Sequence, residues 1–336
     1  MIVGWLLAVV LFVSWVGTYL LRQYALSKSL MDVPNERSSH KVPTPRGGGV
    51  AIVVSFLLSL PFFNGLGLIA DEVLYSLLGA GALVALIGFV DDHGHVPARW
   101  RLLGHFVSAA WGLFWLNGLP PITILGAAFD LAWAGNVLAI IYLVWVLNLY
   151  NFMDGIDGIA SVQAIFVCLG MCINYWLSGN SSLLIIPLGL SVAVAGFLYW
   201  NFPPAKIFMG DAGSGFLGMM LGLLAIQAAR AAPELMWCWV ILTSVFFIDA
   251  TWTLVTRLIN GEKVYQAHCS HAYQHASRAA KSHYKVTMSV LLINVLWLLP
   301  ISIFVMKGYL DGFWGMVVAW IPLCILAIRF RAGKHV

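Results

Sequence analysis

The sequence predicts an all-α protein that crosses a membrane about eleven times and gathers its polar groups on the cytoplasmic face. Three observations carry that prediction. The 336 residues are 61% hydrophobic and 10% charged, with a mean hydropathy of +0.89, whereas soluble domains are about a quarter charged. Apolar runs of near-spanning length recur from end to end. The cations concentrate in alternate loops.

The first run, residues 2–21, has no basic leader and no small-residue cleavage signature, so it reads as a retained span. Runs at 48–63, 73–90, 102–116, 131–147 and 159–177 follow, and then 183–200, 213–229, 235–255, 287–306 and 312–328. Several fall short of the roughly 20 residues a bilayer requires, so they need neighbours or end inside a cleft. No internal repeat divides the chain, which reads as a single domain over 1–336 and not as an inverted-repeat transporter.

Sixteen of the 18 lysines and arginines fall on one side. They are Arg22, Lys28, Arg37, Lys41 and Arg46; Arg99 and Arg101; Lys206; Arg257, Lys263, Arg278, Lys281 and Lys285; and Arg329, Arg331 and Lys334. Only Arg230 and Lys307 fall opposite. The bias places the N-terminus in the periplasm and the C-terminus in the cytoplasm. All nine histidines belong to that cytoplasmic side. A net charge of +4 is too small to argue for nucleic acid, and none is expected as a partner. Five cysteines without a CxxC pair form no disulfide framework.

Function is therefore sought in the cytoplasmic loops. The first, DVPNERSSHKVPTPRGGG over 32–49, sets Arg37, His40, Lys41 and Arg46 among prolines and glycines. These donors suit phosphate, although an ordinary positive-inside loop would read similarly. The third opens on Asp91-Asp92, adjacent carboxylates that want a divalent cation or basic neighbours, and Arg99 and Arg101 follow. The fifth, NLYNFMDGIDG over 148–158, brings Asn151, Asp154 and Asp157 onto one face if it is helical or a tight turn. The seventh, NFPPAKIFMGDAGS over 201–214, brackets Asp211 with Gly210 and Gly213. A helix starting near Gly213 would offer its amides to an anion, or Asp211 would merely cap it. Within the ninth span Asp249 costs about 2.5–3.5 kcal/mol and needs a partner or a role. The ninth loop carries Arg257, Lys263 and HCSHAYQH over 268–275, whose spacing fits no standard zinc pattern.

Taken in order, PTPRGGG, DD, NFMDGIDG, FMGDAGS and HxxH resemble the polyprenyl-phosphate N-acetylhexosamine-1-phosphate transferase family from Asp32 to about Arg278. That family includes bacterial undecaprenyl-phosphate GlcNAc-1-phosphate transferase and phospho-MurNAc-pentapeptide translocase, and the chain looks most similar to the branch that begins O-antigen units of lipopolysaccharide. The resemblance implies magnesium on Asp211 with Asp92, manganese being an alternative ion. It implies that Asp91, Asp92 and Asp154 serve catalysis, and that Asn151, Asp157 and Phe208 bind the nucleotide. Lys41, Arg46, Arg101, Arg257, His268 and His271 would contact phosphate or sugar. UDP-N-acetylhexosamine, undecaprenyl phosphate and membrane lipids are the implied partners, with a homodimer allowed and the bacterial inner membrane the implied location.

Two departures stand out. Arg101 and His105 occupy places where the family carries Lys and Gln, and HCSHAYQH replaces a histidine triplet, which argues against a muramyl-pentapeptide substrate. The implied reaction is attack of the lipid phosphate on the β-phosphorus of the UDP-sugar with loss of UMP. A phosphate monoester, whose second pKa is about 6, needs no strong base for this. A non-catalytic nucleotide-sugar scaffold and a transporter are the rival readings. The second expects acids near the bilayer midplane, where this chain places few.

Overall fold

Backbone amides in an apolar run find no water to bond, so such runs must close their hydrogen bonds internally as helix. A computed structural model describes residues 1–34, 39–40, 42–94, 96–262 and 268–334. Its helices are α1 (Ile2–Ser27), α2 (Val50–Gly65), α3 (Asp71–His93), α4 (Ala98–Trp115), α5 (Ala132–Met153), α6 (Ile159–Leu177) and α7 (Ile185–Asn201). They continue with α8 (Asp211–Ala231), α9 (Pro233–Leu242), α10 (Ser244–Ile259), α11 (Ala272–Ala280), α12 (His283–Ile293), α13 (Leu299–Met306) and α14 (Gly312–Arg329). Strands β1 (Met31–Asp32) and β2 (Thr44–Pro45) pair across the first loop, and β3 (Ile122–Ile124) and β4 (Ala127–Phe129) form a small antiparallel hairpin.

Each predicted run coincides with a helix or a pair of helices, and the chain is an all-α multi-pass membrane protein. By length and composition, eight helical stretches among the described residues can cross a membrane, or nine with the α9–α10 pair. The sixteen residues of α2 are fewer than a span usually needs, and α4 begins with Arg99 and Arg101.

Two runs expected as single rods are broken. The 235–255 run bends by 67° between α9 and α10. There Thr243 Oγ1 donates to the Trp239 and Val240 carbonyls, and Ser244 Oγ donates to Val240 as well. Consecutive hydroxyls compete for carbonyls that a straight helix would use, which bends it. The 287–306 run passes through a π-helical turn at Asn294–Leu298, just before Pro300, which cannot donate to the ladder. α11 lies in a loop where the sequence suggested no helix.

At the centre stands α8, buried along nearly its whole length and packed on α3 and α5. Small residues permit that approach. A Cβ at Gly88 of α3 would lie 2.5 Å from the Ala212 amide nitrogen, and one at Gly49 would lie 2.5 Å from Gly213 Cα. Gly49→Ala is accordingly expected to cost about 1–3 kcal/mol by overpacking, read as a lower unfolding temperature in detergent. An unchanged midpoint would show that the Gly213 and Met209 backbones move away from that methyl at little cost.

Candidate active site

The loops that carry the polar motifs converge where α3 and α5 end and α8 begins. Asp92, at the end of α3 and only 7% exposed, accepts the Asp211 amide at 3.1 Å on one carboxylate oxygen and the Ala212 amide at 3.3 Å on the other. The start of α8 was expected to offer its amides to an external anion or to be capped by Asp211. Instead the anion is Asp92, brought from another helix, so the first amides of α8 are satisfied internally. Arg46 donates to the Asp92 carbonyl at 2.6 Å, which ties the first loop to the same point.

Asp249 repeats the device and has the partner its cost demanded. Its carboxylate accepts the Ala272 and Tyr273 amides at 2.9 Å each, with Thr253 Oγ1 at 3.2 Å and His271 Nδ1 at 3.3 Å, and so caps α11. Two aspartates that looked like candidates for chemistry thus hold helix ends in place.

Arg101 bridges two acids, donating to Asp91 Oδ2 and lying 3.3 Å from Asp211 Oδ2. The other Asp91 oxygen accepts the Val96 amide at 2.9 Å. Asp91 therefore reaches the centre both through Arg101 and by direct contact with the Asp211 carboxylate.

In the fifth loop α5 stops at Met153, and Asp154 and Asp157 follow in a tight turn instead of a continuing helix. Asn151 Nδ2 donates to Ser214 Oγ at 3.1 Å. Asp154 accepts no hydrogen bond among the described residues. Its burial, and the charges of Asp211, Asp92 and Asp157 after it, push its carboxyl well above the usual carboxylate range. Asp157 accepts the Ala205 amide at 3.1 Å and meets His283 Nδ1 at 3.0 Å.

The first and seventh loops run side by side and are joined by backbone hydrogen bonds. Phe208 donates to the Pro45 carbonyl at 2.8 Å, Gly48 to Phe208 at 2.9 Å and Gly49 to Met209 at 2.8 Å. This pairing sets the Phe208 ring against His40, edge-on with centroids 4.8 Å apart. In the ninth loop the rings of His268 and His271 stack at 4.9 Å. Arg257 is buried, with its Nε 2.8 Å from Glu262 Oε2. Lys41 and Lys263 lie outside the described residues.

Two adjoining cavities result. The polar one, about 460 Å³, is lined by Arg46, Asp92, Asp154, Asp157, Phe208 and His283, among others. The other, about 380 Å³, has apolar walls from Val84, Ile87, Leu102 and Leu147, with Arg101, His105 and His271 at its polar end. Asn151, Asp211 and His268 line both. His105 Nδ1 is buried without a hydrogen-bond partner among the described residues. Of the described residues to which the resemblance assigns a role, Asp91 and Arg257 line neither cavity. Ser214 and Gln274, which stand inside the FMGDAGS and HCSHAYQH segments without an assigned role, also line the polar cavity. Sequence reasoning passed over His283, which lines it too; its only trace was a serine before an apolar run at 282, a helix-start signal.

Among the described residues no three His, Cys, Asp or Glu side chains stand as a complete metal cage. The chemistry still suits magnesium. That ion takes oxygen ligands, uses one or two protein carboxylates and draws the rest from phosphates and water. The acids here outnumber their cations, and Asp154 lacks any partner among the described residues.

Comparison with known proteins agrees in kind. The profile described as glycosyl transferase family 4 matches residues 74–229. A probable undecaprenyl-phosphate N-acetylglucosaminyl 1-phosphate transferase of Bacillus subtilis is 25% identical over 93% of this chain and 84% of its own length. A decaprenyl-phosphate N-acetylglucosaminephosphotransferase of Mycolicibacterium smegmatis is 30% identical over 65% of this chain and 58% of its own. The phospho-N-acetylmuramoyl-pentapeptide-transferase of Bacillus pumilus is 28% identical over 86% of this chain and 91% of its own.

Proposed function

The chain belongs to the polyprenyl-phosphate N-acetylhexosamine-1-phosphate transferase superfamily, and from that premise we propose that it moves an N-acetylhexosamine-1-phosphate from a UDP-sugar to undecaprenyl phosphate. The observation that carries this reading is the pair of cavities sharing Asn151, Asp211 and His268. A phosphoryl transfer between a water-soluble donor and a lipid acceptor needs two compartments that meet at the reacting phosphorus. The polar cavity takes the UDP-sugar, with the uridine near Asp157 and Phe208. The apolar walls of the other take the lipid chain, while Arg101 and the unpartnered His105 face its phosphate.

The lipid phosphate oxygen attacks the β-phosphorus, the bond to the UMP oxygen breaks, and a lipid-diphospho-sugar forms. The protein contributes position and charge more than covalent chemistry. Magnesium, held by Asp211 and Asp154 with Asp92 beside them, would neutralise the diphosphate oxygens. Arg101, fixed by Asp91, directs the acceptor toward Asp211. The finer reading, initiation of an O-antigen chain at the bacterial inner membrane, rests on the resemblance to that branch of the family, while the HCSHAYQH segment in place of a histidine triplet speaks against a muramyl-pentapeptide donor.

UMP release by the purified protein tests the proposal. The assay combines undecaprenyl phosphate, magnesium and a panel of UDP-N-acetylhexosamines. Release that requires both lipid and metal is expected, and the best donor names the sugar. A folded, monodisperse sample that neither binds nor cleaves any UDP-sugar would sink the reading.

A further inference from the structure

The start of α12 reaches back to the acid assigned to the nucleotide. Thr287 Oγ1 donates to the Asp157 carbonyl at 3.0 Å. One turn earlier, His283 places Nδ1 3.0 Å from Asp157 Oδ1 and Nε2 3.1 Å from the Ser39 carbonyl of the first loop. Both partners are acceptors. A neutral imidazole carries one N–H, so only the imidazolium satisfies the two contacts together. The Asp157 amide can donate to Nδ1 only in the neutral ring, and at 3.4 Å that contact is longer than the 3.0 Å approach of the carboxylate, which the imidazolium meets.

Four segments are joined here: the first loop, the fifth-loop turn, α12, and the seventh loop through the Ala205 amide. The side chains of His283 and Asp157 are only 17% and 12% exposed. Ser39, His40, Asp157, Phe208 and His283 line the polar cavity and also a further cavity of about 680 Å³, so they form the wall between the two.

Resting on the transferase reading, we propose that His283 is a positioning residue for the UDP-sugar: its imidazolium donates to Asp157 and to the Ser39 carbonyl, and holds the wall against which the nucleotide binds. Binding of the donor then depends on the imidazole proton, and turnover does not. Other charged groups face this point. They are Asp154 beyond Asp157, His40 and Asp32 from the first loop, and Arg278 and Lys281 from α11 and its end. Lys206 of the seventh loop is turned over the rings of Tyr199 and Trp200. Among the described residues His40 and His268 also line the polar cavity, and histidines ordinarily titrate near neutrality, so the test must separate His283 from both.

His283→Arg does so, because a guanidinium offers two donors at every pH while His40 and His268 are retained. The measurement is KM for the UDP-sugar and kcat from about pH 5.5 to 8.5, at saturating lipid, together with calorimetric binding of UDP-N-acetylglucosamine. The diphosphate of that probe gains no proton in this range. In the wild type, KM and the dissociation constant are expected to rise roughly tenfold toward high pH, the effect of losing one charge-assisted hydrogen bond. His283→Arg should keep the low value throughout, and His283→Gln should show the high value throughout, with kcat little changed in either. Wild-type affinity and pH profile in a folded His283→Gln protein would overturn the proposal, as would a loss confined to kcat. If the wild type binds the probe but releases no UMP, the transferase reading fails separately, and the binding profiles still decide the role of His283.

Discussion

Asp211→Asn is expected to lower turnover by roughly 10³-fold or more while leaving the protein folded. The carboxylate stands where the two cavities join and meets Arg101 at 3.3 Å. Asn preserves its size but removes the charge that a magnesium–diphosphate centre requires. The fold should survive because α8 does not rely on that side chain. Its first amides, including the Asp211 N–H, are bonded to Asp92. UMP release and thermal unfolding, measured on the same preparation, separate the two effects. A variant with near-wild-type turnover would remove Asp211 from the reaction, and a variant that unfolds would show that its charge also serves the packing.

Asp92→Ala should do the reverse first, with stability falling before chemistry can be judged. The substitution strands two amides at a buried helix start, and each unsatisfied group costs about 1–3 kcal/mol, so a loss of roughly 2–5 kcal/mol is expected. Asp92→Asn keeps one acceptor oxygen and should recover part of that loss. Asp91→Ala provides the contrast. It removes a partly exposed ion pair worth about 1 kcal/mol or less, together with one amide contact, so unfolding should change little. It frees Arg101, however, and KM for undecaprenyl phosphate should rise. Denaturant or thermal unfolding in detergent, paired with lipid titrations, checks both. Equal stability losses in the two alanine variants would mean that the adjacent acids share one structural task.

How far the sequence could be read differs between these two acids. As a pair, Asp91 and Asp92 looked alike, and nothing in one dimension tells them apart. In the fold one points to Arg101 and the other to the amides of a helix that begins 119 residues later. The same holds for Asp249, whose partners are 23 and 24 residues away on α11. Asn151, Asp154, Asp157 and Asp211 were legible because each sits in a short polar segment between apolar runs, and such a segment has to lie at a helix end. His283 was not legible, since its role depends on a carbonyl in the first loop.

The sequence by itself determined the solvent, the all-helical class and the set of loops that hold the polar groups. Those properties follow from local composition, because every apolar run must be helical in lipid. Only the tertiary structure decided which carboxylates face a cavity and which cap a helix, where the rods bend, and that the polar and apolar compartments meet at Asp211. Those outcomes depend on which helix ends lie side by side, and that is set by close backbone approaches such as Gly88 on Ala212 and Gly49 on Gly213.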